Sequence, residues 1–240
     1  MFRHRGKTRT LQHNLRIASL LSFVAGVVNV AGFLSVQRLT TNVTGHFAFF
    51  VDEIIRPNFL QAFIFFLYIF FFFLGSFLSS FCVELLHKRH PNHAYVLPAV
   101  LESAILLMAA FFGRSLVHDH PDALAFLLLF AMGLQNSLVT SISKAAVRTT
   151  HLTGLFTDLG IELSQLFFYK QPEQKHKLYS SIRLRLTIIC FFFIGGIVGG
   201  LFYSTIQLNV LILAGGVLVT GIMLDYIKYN EVSNKEKHVN

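Results

Sequence analysis

The sequence predicts an all-α, polytopic membrane protein with six transmembrane helices, built as two inverted three-span repeats that each carry a short Thr-Gly half-helix. Three observations lead there: six apolar runs of bilayer length, a one-sided distribution of Lys and Arg over the loops, and a duplicated Thr-rich motif.

Of the 240 residues 54% are hydrophobic and only 13% charged, and the mean hydropathy is +0.60. A soluble domain normally carries about 25% charged residues. This length holds one compact bundle and no separate soluble catalytic domain. The net charge of +8 does not point to nucleic acid, because the basic residues sit between apolar runs instead of forming one basic face. Cys82 and Cys190 both fall inside apolar runs, where a thiol acts as a small hydrophobe. No metal and no cofactor is expected from them.

The apolar runs, in order, are 15–36, 59–86, 94–112, 122–143, 183–206 and 208–228. About 20 apolar residues cross the hydrocarbon core as a helix. The first run follows a basic segment, as a signal peptide would, but it is too long for an h-region and lacks a small-residue cleavage site, so it reads as a retained span. The uninterrupted Phe/Leu/Ile stretch at 63–74 excludes the alternation of a membrane barrel. Two shorter mixed segments, 43–55 and 153–169, begin at Thr-Gly and are expected to dip into the bilayer without crossing it.

With that arrangement 17 of the 20 Lys and Arg fall on one side, and only Arg38, Arg56 and Arg114 fall on the other. Positive loops stay in the cytoplasm. Both termini are therefore expected inside. The predicted organisation is a basic cytoplasmic N-terminus (1–14), a first repeat (15–113), an external loop (114–121), a second repeat (122–228) and a cytoplasmic tail (229–240).

The repeat is direct in sequence. Thr40-Thr41-Asn42-Val43-Thr44-Gly45-His46-Phe47 matches Thr149-Thr150-His151-Leu152-Thr153-Gly154-Leu155-Phe156, and Glu53 falls opposite Glu162. Upstream, Gly26 to Asn29 echoes Gly133 to Asn136; downstream, Gly75 in one copy answers Gly195-Gly196 and Gly199-Gly200 in the other. Three spans is an odd number, so the second copy must sit upside down, as in many secondary transporters.

These features nominate a site. Thr44 and Thr153 would cap short helices, with Gly45 and Gly154 allowing close approach. Two such N-termini facing each other near the midplane would offer free N–H groups to an anion or a carboxylate. The competing reading is that Thr-Gly only starts and packs an interfacial helix. Asn29, Gln135 and Asn136 either line the cavity or bond between helices, and His46 and His151 flank the motifs. Carboxylates at membrane depth are costly and functional by default, which makes Asp52, Glu53, Glu102, Asp158 and Glu162 candidates for coupling. The histidines at 87, 90 and 93 read as a solvated loop and not as a metal site.

Gly133-Leu134-Gln135-Asn136, the Thr149 to Gly154 segment and the earlier Thr44-Gly45 resemble the YoaK family of bacterial inner-membrane proteins over nearly the whole chain. The resemblance implies the span count and a bacterial cytoplasmic membrane. It also implies a Gly-x-x-Asp in the first span and Thr-Gly-Asn after it. Here Asn29 stands at the Asp position and His46 at the Asn position, so any coupling by that Asp in relatives is either lost here or moved to another acid.

No nucleophile elbow, phosphate loop, zinc-protease or dinucleotide motif occurs, and an enzyme is not expected. The expected function is a secondary transporter or exporter of a small polar or anionic solute, for which a homodimer is a compatible assembly. The alternatives are a channel-like pore, or a non-transporting scaffold or stress-response protein working through its 170–185 loop.

Overall fold

The computed structural model describes residues 9–88 and 94–239, with side chains to residue 227. The basic residues before position 9, the histidines at 90 and 93, and the side chains of the tail lie outside the described residues. Among the described residues the structure is wholly helical: α1 (Leu11–Val36), α2 (Thr44–Ile55), α3 (Phe59–His87), α4 (Val96–Asp119), α5 (Pro121–Ser143), α6 (Leu152–Phe168), α7 (Pro172–Ile206), a 3-10 turn at Gln207–Val210, and α8 (Leu211–Val239). Five stretches are long and apolar enough to cross a membrane: α1, α3, α4, α5 and Pro172–Ile227, in which the turn joins α7 to α8. In lipid the helix is the solution that satisfies every backbone group within one segment.

Side-chain size decides which helices are central. The small residues of α1 and α5 (Ala18, Ala25, Gly26, Ala31; Ala125, Ala131, Gly133) are buried, and both helices are buried over most of their surface. The Phe-rich α3 turns Phe63, Phe66, Phe70, Phe73, Phe77 and Phe81 outward, where acyl chains accept them.

α1 packs most extensively on α7, and α3 on α5. Both contacts are glycine crossings. A methyl group built at Gly26 would stand 2.1 Å from the Phe192 carbonyl oxygen, and one at Gly195 would stand 2.1 Å from the Phe23 carbonyl oxygen. The second crossing has the same form: Gly133 against the Phe72 carbonyl at 2.2 Å, and Gly75 against the Phe130 carbonyl at 2.1 Å. Without a hydrophobic drive between helices in lipid, such close approach supplies the packing energy.

Two expectations need correction. The 170–185 stretch is not a loop. α7 begins at Pro172, which suits the first helical position, with Glu173 in the first turn, and Leu178 and Ile182 pack on Leu159 of α6. Nor does Thr44 cap α2. Val43 is the flanking residue and Thr44 the first helical one; α6 starts at Leu152 with Thr153 already inside it. The helices begin early because Phe47 N–H already bonds the Val43 carbonyl, and Leu155 N–H the His151 carbonyl.

The crossings predict a contrast. Gly26→Ala and Gly133→Ala should each destabilise the detergent-solubilised protein by about 1–3 kcal/mol, the usual cost of overpacking. Gly154→Ala, with nothing within 4 Å of its added methyl, should leave thermal stability unchanged. Thermal unfolding followed by size-exclusion chromatography checks both.

Candidate functional site

The Thr-Thr dipeptides, more than the Thr-Gly that follow them, fix the two linkers. Thr41 donates its hydroxyl to Asn29 Oδ1 at 2.7 Å, and Thr150 donates to Asn136 Oδ1 at 3.0 Å. Asn29 and Asn136 each close a Gly-x-x-Asn segment, shifted by two residues between the copies (12 residues before Thr41, 14 before Thr150), so a similar clamp is made twice. The neighbouring threonines are fully buried. Thr40 donates to the Val28 carbonyl at 3.3 Å, and Gln135 Nε2 donates to Thr149 Oγ1 at 3.0 Å and to the Leu21 carbonyl at 3.1 Å. Each linker is thereby folded back onto the middle of the helix before it. The turn that permits this places Gln37 and Lys144 in the left-handed region, with φ of 53° and 52°. Asn29 and Asn136 therefore bond to the linkers and remain half-exposed. Thr44, Thr153 and Gly154 lie at the surface, and Gly45 is half-buried.

The second linker opens onto a cleft of about 300 Å³, lined among others by Arg148, His151, Gly154, Asp158, Ser181 and Arg185. Arg185 of α7 holds α6 in place. Its Nη1 lies 2.8 Å from Asp158 Oδ2 and its Nε 2.8 Å from Glu162 Oε2, while Ser181 donates to Glu162 Oε1 at 2.6 Å. The Glu162 side chain is only 13% exposed and Asp158 is 50% exposed, so Glu162 depends more on this partner. Arg148 is exposed at the rim and Gly154 leaves open space at the start of α6, whose first N–H groups have no partner within the helix. Chemically, this cleft can hold an anionic group near Arg148 and the α6 N-terminus and a donor near Asp158.

The first linker is closed by rings. His46 is buried with Nε2 2.6 Å from the Leu39 carbonyl oxygen, and its ring centroid lies 4.7 Å from that of Tyr68. Phe49 stacks on Phe65 at 5.2 Å. Tyr68 donates to Asp122 at the start of α5, and the Arg38 guanidinium reaches both the phenol and the face of Phe65. Asp52 pairs with Arg56 at the exposed end of α2, on the helix that also carries Glu53. Glu102 is fully buried in α4.

The predicted site residues therefore separate into three groups. Asn29, Gln135 and Asn136 tie linkers to spans; Gly154, His151 and Asp158 line the cleft with Glu162 bound behind it; Thr44, Gly45, His46, Asp52 and Glu53 lie on the other short helix. Sequence reasoning passed over Arg148, Ser181, Arg185 and Tyr68. The identity of Thr40-Thr41 with Thr149-Thr150 signalled the clamps, and an Arg at the mouth of an apolar run signalled Arg185.

These helices and their outward Phe faces define a polytopic helical membrane protein. The family model described as "Protein of unknown function (DUF1275)" matches residues 17–224, and the chain belongs to that family, the YoaK family. The UPF0700 transmembrane protein YoaK of Bacillus subtilis (strain 168) is 27% identical over 211 residues, covering 85% of this chain and 92% of that protein. No solved structure matches.

Glu162→Ala should cost more stability than Asp158→Ala, about 1–3 kcal/mol for the buried partner left behind. In a double-mutant cycle Arg185→Ala and Glu162→Ala should be strongly non-additive in thermal unfolding. Additive effects would mean that Arg185 does not hold α6.

Proposed function

We propose that this protein is a secondary transporter of a small polar or anionic solute, six-spanning and built from two inverted repeats, with the cleft at the second Thr-Gly segment as its cytoplasmic vestibule. The observation that carries the reading is the doubled Asn–Thr clamp beside one open cleft and one closed one.

Three further facts support inversion. Residue pairs advance together along α1 and α7 (Phe23 with Gly195, Val27 with Gly199) and in opposite senses along α4 and the turn that runs into α8 (Gly113 with Leu208 of the turn, Leu107 with Gly215 of α8). The chain reverses at His120 between α4 and α5, and at Gln207 between α7 and α8. It follows that α5 runs opposite to α1, its counterpart in sequence. Exchange of α1 with α5 and α3 with α7 turns one glycine crossing into the other. The 56-residue stretch Pro172–Ile227 would extend about 84 Å as one straight helix at 1.5 Å per residue. A hydrocarbon core of about 30 Å accommodates it as two crossings broken at Gln207, which gives six.

Alternating access in an inverted-repeat transporter exchanges the states of the two halves. In this reading the ring cluster of His46, Phe49, Phe65 and Tyr68 seals the outer side, while Asp158–Arg185, at the corresponding place, borders the inner opening. The membrane is the bacterial cytoplasmic membrane, with both termini inside. Thr44, Gly45, Asn29, Gln135 and Asn136 frame the path between the halves.

Purified protein in liposomes, offered radiolabelled inorganic phosphate and a set of small carboxylates and amino acids, tests this. The expected result is saturable uptake of at least one of these, lowered about tenfold by Arg148→Ala, the loss of roughly 1.4 kcal/mol of binding. Absence of uptake of all of them contradicts the reading, and non-saturating currents indicate a pore instead.

A further inference from the structure

We propose that Glu102 is the proton-carrying carboxyl of this protein, a single-site proton carrier in α4 that couples proton movement to the transport cycle. The inference rests on the transporter reading but uses a residue outside the cleft.

Glu102 is 0% exposed, and neither carboxyl oxygen has a hydrogen-bond partner. It sits among the buried residues of α4 with Ala99, Leu106, Ala109 and Ala110, and with Ser103 as the other polar side chain. Placing a charged carboxylate there without a partner costs many kcal/mol. Natural proteins rarely leave an acid in this state, and a Gln or Met would fill the volume at lower cost. An acid kept in a dry core, with its proton as its one ligand, is the chemistry of a carrier that loads and unloads when the core opens.

Among the described residues no counter-charge pairs with Glu102 in the closed form. Of the elements packed against α4, α5 carries only Asp122, at its far end, and the 3-10 turn carries no titratable group. α3 carries Tyr68 early and Cys82, Glu84 and His87 near its C-terminus, and α8 carries the buried Asp225 and the exposed Tyr226 before its side chains pass outside the described residues at Lys228. On α4 itself, Arg114, His118 and Asp119 lie three or more turns away, and Tyr95 precedes the helix. Release therefore requires the interface beside Glu102 to open, and α8 is the element across it. Gly215 of α8 rides over Ser103 and Leu107 of α4, with a built methyl 3.4 Å from the Ser103 carbonyl oxygen. Ser103 Oγ is likewise buried without a partner, a further polar group that opening would hydrate. Among the described acids Glu102 is the one with no exposed surface.

Two readouts on the whole protein in liposomes test the proposal. Dicyclohexylcarbodiimide, an apolar reagent that couples to protonated carboxyls, should label Glu102 at neutral pH and leave Glu102→Gln unlabelled at that peptide. Pyranine trapped inside should report proton entry under a potassium-diffusion potential with the phosphate, carboxylates and amino acids of the uptake assay present outside. Wild type should exceed protein-free liposomes at least tenfold, Glu102→Gln should match protein-free liposomes, and Glu102→Asp should retain part of the flux. Thermal unfolding of Glu102→Gln at or above the wild-type temperature separates lost carriage from lost folding. An unlabelled Glu102, equal proton entry in wild type and Glu102→Gln, or no entry in wild type overturns the proposal. Saturable solute uptake without proton movement overturns it while leaving the transporter reading intact; labelling blocked by sodium at constant pH overturns it in favour of a sodium carrier.

Discussion

The bundle depends on two helix crossings in which a carbonyl oxygen stands where a Cβ would otherwise be. Gly26 and Gly195 make one, Gly133 and Gly75 the other. Lipid gives no hydrophobic reward for bringing apolar helices together, so contact energy must come from dispersion at short range. Once α1 and α5 are pressed onto α7 and α3, their small residues are enclosed and their polar groups have few places to go. Asn29 and Asn136 find the linker threonines, and the linkers are carried back onto the helices they leave. The short helices α2 and α6 are then held at positions set by the crossings and the clamps together.

The two halves use one frame for different chemistry. At the place where Phe49 stacks on Phe65 in the first half, Asp158 meets Arg185 in the second. Ring packing needs no water and closes a surface; an ion pair with a half-exposed carboxylate tolerates water and stays adjustable. That difference gives the first half a closed ring cluster and the second a cleft.

Much of this was legible in the sequence because it rests on length, charge and identity. The apolar runs located the long helices, and Thr40-Thr41 with Thr149-Thr150 located the linkers. The helical start of α7 at Pro172 was not legible from hydropathy, since its first turns are polar and are held by Leu178 and Ile182 against Leu159, a tertiary contact. The place of Thr44 was misjudged for a local reason: Thr is a good cap, but the Val43 carbonyl already accepts the first bond. The carboxylates divided on burial, which a sequence does not display. Asp52 is an exposed partner of Arg56, Glu162 is bound by Arg185, and Glu102 alone of the candidates is wholly enclosed.

If the two matched halves lie upside down relative to each other, as proposed, their linkers face opposite sides of the membrane. Cysteine accessibility measures this directly, in a chain with Cys82 and Cys190 replaced by Ser. With a membrane-impermeant maleimide on intact cells, Asn42→Cys in the first linker should label at once. Arg148→Cys in the second should label only after the membrane is opened. Labelling of both from the same side would contradict the inverted arrangement.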